Sequence, residues 1–160
     1  MGRATQDAPS GPGPGLPRLA LALGFAGLLP QILVVATLIL GGDAERFTAL
    51  SVGYAYAALI FSFLGGLWWG LAAAGGARVP NWIWFAAVGP SLIALASAWP
   101  WATGGEWPGP SLVILGLAIA ASMFVDWRMK ASGLTPKGWL VLRVPLSLGL
   151  GVLTVLAGLL

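Results

Sequence analysis

Asp126 and Arg143 are the two residues of this sequence best placed for chemistry. One is a carboxylic acid; the other is a guanidinium that stays charged in proteins. Asp126 ends one apolar run and Arg143 begins the next, on the same side. Charge in such surroundings is expensive unless it is paired or reaches the interface. Two uses fit this candidate interfacial ion pair. It is either a structural staple between two spans, or a site for a lipid headgroup or another anion at one membrane face. An acid at a helix C-terminus opposes the macrodipole and needs a compensating cation. Arg128, Lys130 and Arg143 are the candidates, and only Arg143 is drawn into the apolar run.

Other chemistry is limited by what the chain lacks. It has no Cys and no His. That removes disulfides, thiol nucleophiles, His-centred metal sites, His-ligated haem and Ser-His-Asp triads. No acid or base falls at the middle of an apolar run, which argues against a proton-coupled pump. Asp43 and Asp126 fall on opposite sides and cannot form the carboxylate pair of an intramembrane aspartic protease. No acidic cluster offers the metal ligands of a phospholipid transferase. Gly65-Gly66 and Gly75-Gly76 lack the strand–turn–helix context of a phosphate-cradling loop. The expectation is a protein without cofactor, metal or catalytic residues. The other polar candidates at depth are Gln31, which follows Pro30, Tyr54 and a few serines, Ser62 and Ser91 among them.

The elements that hold these residues follow from composition. Of 160 residues, 58% are hydrophobic and 8% charged, and the mean hydropathy is +0.90. Soluble domains carry about 25% charged residues, so this chain cannot clothe a water-soluble globule. Five apolar blocks, at about 19–40, 47–74, 82–99, 110–126 and 139–160, predict an all-α membrane protein, a bundle of five transmembrane helices. The fourth is the shortest and spans only with Pro110 and Asp126 included. A re-entrant pair made of the third and fourth blocks is the alternative. Residues 1–18 are rich in Gly and Pro, cannot bury apolar surface and read as a disordered cytoplasmic tail.

Orientation comes from the cations. Arg3, Arg18, Arg78, Arg128, Lys130, Lys137 and Arg143 fall on one side, and only Arg46 on the other. The N-terminus is expected in the cytoplasm and the C-terminus outside, in a multi-pass inner (plasma) membrane. The net charge of +3 is then a topology signal, and no basic patch supports a nucleic-acid partner. The nine Trp residues fall near span ends and read as interfacial belts, with a tryptophan-lined substrate site as the alternative. Tyr54 and Tyr56 read as belt residues too.

Helices in lipid associate through close contact, which small residues allow. Ala58, Ser62, Gly66, Gly70 and Ala74 recur every four residues along the second span, with Gly65 alongside. This stripe predicts tight intramolecular packing around the second span, or alternatively a dimer seam. Pro30, Pro90 and Pro145 fall inside apolar blocks, and Pro90 is the expected kink.

The segment from Tyr54 to Gly70, Tyr-Ala-Tyr-Ala-Ala-Leu-Ile-Phe-Ser-Phe-Leu-Gly-Gly-Leu-Trp-Trp-Gly, resembles the signature of the domain-of-unknown-function 3429 family. Transmembrane protein 69-like proteins of mitochondria are similar to that family. Leu23 to Pro30 resembles its first span. Asp126-Trp127-Arg128, Pro136 to Trp139 and Leu142-Arg143 resemble its last hairpin. The resemblance implies a small integral inner-membrane protein of unknown activity and supplies no catalytic residues. It adds weight to Ser62, Gly65, Gly66, Trp69, Asp126 and Arg143. The reading is a non-enzymatic bundle acting through the lipid bilayer, a membrane-protein partner or a homo-oligomer. The alternative is a small oligomeric transporter or channel with a path near Ser62, Ser91 and Gln31.

Overall fold

A computed structural model describes residues 17–76 and 79–160. Residues 1–16 of the expected tail, Arg3 included, lie outside the described residues, as does Arg78. All regular structure among the described residues is helical. Five helical stretches are long and apolar enough to cross a membrane: Arg18–Leu40, Asp43–Gly75, Trp82–Thr103, Gly109–Ala131 and Trp139–Leu159. Leu40, Leu59, Phe85 and Val141 stand exposed on the outside, an exterior suited to hydrocarbon and not to water.

The first stretch is two helices, α1 (Arg18–Ala26) and α2 (Leu29–Leu40). Pro30 sits in the first turn of α2. It has no N–H to offer the preceding turn, and its ring crowds that turn's carbonyl, so the helix is interrupted at Gly27-Leu28. The Tyr56 hydroxyl donates to the Gly27 carbonyl at this interruption. By contrast, helix runs unbroken through Pro90 and Pro145. The break in the helix falls at Pro30.

The second stretch is α3 (Asp43–Gly75), whose Glu45 carboxylate accepts the Gly42 N–H at 3.1 Å and closes its N-terminus. Its 33 residues reach roughly 50 Å, well beyond a hydrocarbon core of about 30 Å. The third is α4 (Trp82–Ser97) followed by the short α5 (Trp99–Thr103). The fourth is α6 (Gly109–Ala121) and α7 (Met123–Ala131), parted at Ser122, whose hydroxyl donates back to the Ile119 carbonyl at 2.6 Å. The fifth is α8 (Trp139–Leu159). The fourth stretch therefore runs past Asp126 to Ala131. Its last turn carries Arg128 and Lys130, whose long stems let a helix continue into the headgroup layer.

A close backbone approach joins α6 to α8, the most extensively packed helix pair. A Cβ on Gly116 would stand 2.7 Å from the Gly151 carbonyl oxygen, and one on Gly151 would stand 2.8 Å from that of Gly116. Gly158 and Gly109 repeat the contact two turns further along, with a Gly158 Cβ 2.6 Å from the Gly109 oxygen. Any side chain at these glycines would push the two backbones apart. On α3 the packing glycine is Gly65, where a Cβ would stand 2.3 Å from the Ala87 carbonyl oxygen of α4.

The four-residue stripe on α3 needs correction as an intramolecular seam. Ala58 and Ser62 are half-buried, whereas Gly66, Gly70 and Ala74 are exposed. A Cβ on Gly66 or Gly70 would meet nothing within 4 Å. The face that α3 buries runs through Ala57, Phe61, Leu64, Gly65, Trp68 and Ala72. That face mixes large residues (Phe61, Leu64, Trp68) with small ones (Ala57, Gly65, Ala72), while Leu59, Phe63 and Trp69 point outward.

Candidate functional site

Asp126 and Arg143 come together at the end of the bundle where α3, α7 and α8 meet. Asp126 is completely buried there. The parting at Ser122 places it in the first turn of α7, so it does not sit at a helix C-terminus, and the macrodipole is not what calls for its cation. Its Oδ2 accepts the Arg143 Nε–H at 3.0 Å. Its Oδ1 accepts two indole N–H groups, from Trp68 and from Trp139, each at 2.9 Å. A carboxylate only accepts hydrogen bonds, and three donors from two other spans meet it here. Arg143 also donates through Nη2 to the Ser147 hydroxyl at 3.2 Å, one turn along α8. Ser147 lies 3.5 Å from the Ser122 hydroxyl, which ties the parting in the fourth span to the same cluster.

Sequence alone brings Asp126 and Arg143 together but misses the indoles. Trp68 is 2% exposed and Trp139 is 8% exposed, so neither is a belt residue. Each ring fills core volume while its single N–H finds a charged acceptor, as a buried indole requires. The signal for them was two tryptophans at span ends on the same side as an acid. Belt placement suits the exposed Trp99, Trp101 and Trp127. Trp69, half exposed, packs edge-on against Trp84 with centroids 4.8 Å apart. Arg128 lies over the Trp82 ring at 5.2 Å, joining the ends of the third and fourth spans by a cation–π contact.

Tyr54 is likewise a core residue and not a belt residue. Its hydroxyl lies 3.0 Å from the Ala94 carbonyl and 2.9 Å from the Ser97 hydroxyl, which links α3 to α4. Gln31 is fully buried, and among the described residues neither amide atom has a hydrogen-bond partner. Its Nε2 stands 3.5 Å from where a Cβ on Gly53 would be, so the amide presses against the bare backbone of α3. Ser91 faces outward and Ser62 is half-buried, so these two do not join Gln31 in one polar passage.

Cavities flank α3 on more than one side. One, of about 510 Å³, opens between α2 and α3 near Thr37, Glu45 and Thr48. Another, of about 200 Å³, lies between α1, α3 and α8 and has Arg143 in its wall. No group of three or more His, Cys, Asp or Glu is gathered to hold a metal among the described residues.

No curated protein and no solved structure matches this chain. A family model described as "Protein of unknown function (DUF3429)" matches residues 16–159, which is nearly the whole chain. A helical bundle clasped at one end by a buried carboxylate, read along the full length of that match, thus belongs to the DUF3429 family.

Proposed function

We propose that this protein is a non-catalytic integral protein of the inner (plasma) membrane that acts through lipid or protein partners. The observation that carries the reading is the state of Asp126. It is the one fully buried carboxylate among the described residues, and its three donors all come from the protein itself. A general acid or base must reach substrate, and this one is closed off. It acts instead as a clasp between α3, α7 and α8. The outward face of α3 at Gly66 and Gly70 is free of other chain, which leaves room for a partner helix or a second copy. Arg18, Arg128, Lys130, Lys137 and Arg143 at one end support a cytoplasmic N-terminus and an outward C-terminus.

The test is Gly66→Leu in the native membrane. The added side chain has open space in the monomer, so the fold persists and partner co-purification falls. Retention of every partner by the folded variant would remove the contact at α3. A small oligomeric transporter or channel is the second reading, and the unpartnered Gln31 amide near mid-span is what favours it. Solute flux in proteoliposomes no greater than in empty liposomes, over a broad panel, would eliminate it.

A further inference from the structure

The cavity beside Arg143 has an uneven chemistry. On α3 it is lined by Ile60, Phe63, Leu64 and Leu67, and on α8 by Leu146 and Leu150 below Arg143. The α1 wall is Leu23, Gly24, Gly27 and Leu28. From Ile60 to Leu67 the cleft follows α3 for roughly 10 Å along the span. It is apolar throughout that length and has one cation, at the end nearest the start of α8. Leu23 and Phe63 on its rim are 64% and 66% exposed, so the cleft opens sideways toward the bilayer.

Arg143 is not used up by the clasp. A guanidinium has five N–H donors in a planar fork. Asp126 takes the Nε–H and Ser147 takes one on Nη2. Among the described residues nothing takes those on Nη1, and Nη1 is not among the sealed, unpartnered polar atoms. The side chain keeps 14% of its surface accessible. One edge of the fork therefore holds the protein together, and the other is open for a second acceptor. The end of the bundle around it carries Arg18, Arg128, Lys130, Lys137 and Arg143 against the single acid Asp126, among the described residues.

We infer that this cleft holds an anionic phospholipid, with its phosphate on the free edge of Arg143 and one acyl chain lying along Ile60, Phe63, Leu64 and Leu67. The inference deepens the proposed reading by naming a lipid partner and its place, and it rests on that reading. Guanidinium and phosphate match in geometry and charge. The local cations favour a lipid of net negative charge over a zwitterion. A free inorganic phosphate would gain nothing from an apolar shaft. The volume of about 200 Å³ is below the roughly 300–1,000 Å³ of pockets that enclose a whole ligand, and suits a stretch of one chain whose remainder stays in the bilayer.

The experiment is native mass spectrometry of the full chain released from nanodiscs of equal phosphatidylglycerol and phosphatidylcholine with matched acyl chains. The native protein retains phosphatidylglycerol selectively. Arg143→Lys keeps a cation for Asp126 but loses the fork, and retention falls about tenfold, the loss expected for one charge-assisted bond. Leu67→Trp fills the shaft, replaces none of the clasp residues and lowers retention to a similar extent, so the test stands even if Arg143→Lys fails to fold. Equal retention of the two lipids, or unchanged retention by Leu67→Trp, overturns the inference. So does displacement of phosphatidylglycerol by millimolar inorganic phosphate. Partner co-purification with Gly66→Leu is read separately. A failure of lipid selectivity therefore removes the cleft site alone, and a failure at Gly66 removes the partner contact alone.

Discussion

Asp126 and Gln31 are both fully buried polar side chains in spans of the same bundle, yet their surroundings differ completely. The carboxylate of Asp126 receives three donors from α3 and α8. The amide of Gln31 has no partner for either atom among the described residues. In a bilayer no water stands ready to satisfy a stray polar group, so each is settled by neighbouring helices or carries a cost. The charged group cannot be left alone, because an unpaired ion in hydrocarbon costs far more than an unpaired amide. Its neighbours are accordingly arranged around it: two indoles, one guanidinium and, behind that, a serine. The neutral group is tolerated between α2 and the glycine backbone of α3. The difference separates a clasp, which organises three spans, from a local defect.

The contrast can be broken most strongly at the acid. Asp126→Asn is nearly isosteric, but it turns an amide toward Arg143 and leaves that cation without its counter-charge. It is expected to destabilise the bundle by about 3–5 kcal/mol, read as the unfolding midpoint in a titration with denaturing detergent. A loss under about 1 kcal/mol would mean that the ion pair is dispensable. Trp68→Phe removes one donor from Oδ1 and is expected to cost about 1.5–3 kcal/mol in the same titration. Trp139→Phe should match it, since the two indoles hold the same oxygen at the same distance. If Trp68→Phe were silent, the clasp would join α7 to α8 alone, two spans and not three. Ser147→Ala withdraws the second acceptor from Arg143 and is expected to cost about 1 kcal/mol.

The smallest effect falls at the other member of the comparison. Gln31→Met keeps the length of the side chain and deletes an unsatisfied amide. It is expected to leave stability unchanged or raise it by about 1 kcal/mol. A loss above about 2 kcal/mol would show that the amide is held by a buried water or another group, and would bring Gln31 closer to Asp126 in kind.

How much of this was legible in the chain depends on the kind of information. The likeness of the segment from Tyr54 to Gly70 to the family signature agrees with the match over residues 16–159. The close approach of Gly116 to Gly151 carries no extended, regular small-residue pattern that would mark it in the sequence. The α3 stripe was more regular to the eye, yet Gly66 and Gly70 face away from the chain. Trp68 and Trp139 read as interfacial from the sequence because indoles at span ends usually belong there.

The sequence by itself determined the class of this protein: five long helical stretches with an apolar exterior, and an acid and a cation brought together by the last two. Those properties are sums over local residues, since hydrocarbon admits runs of apolar side chains and excludes charge. Only the tertiary structure decided which side of each helix packs. Lipid and protein interior are equally apolar, so a span carries no hydrophobic stripe to mark its inner face as a soluble helix would. The contacts that choose that face are set by shape and by single polar bonds. An indole of α3 reaches a carboxylate 58 positions away, and two glycines let α6 and α8 touch through their backbones.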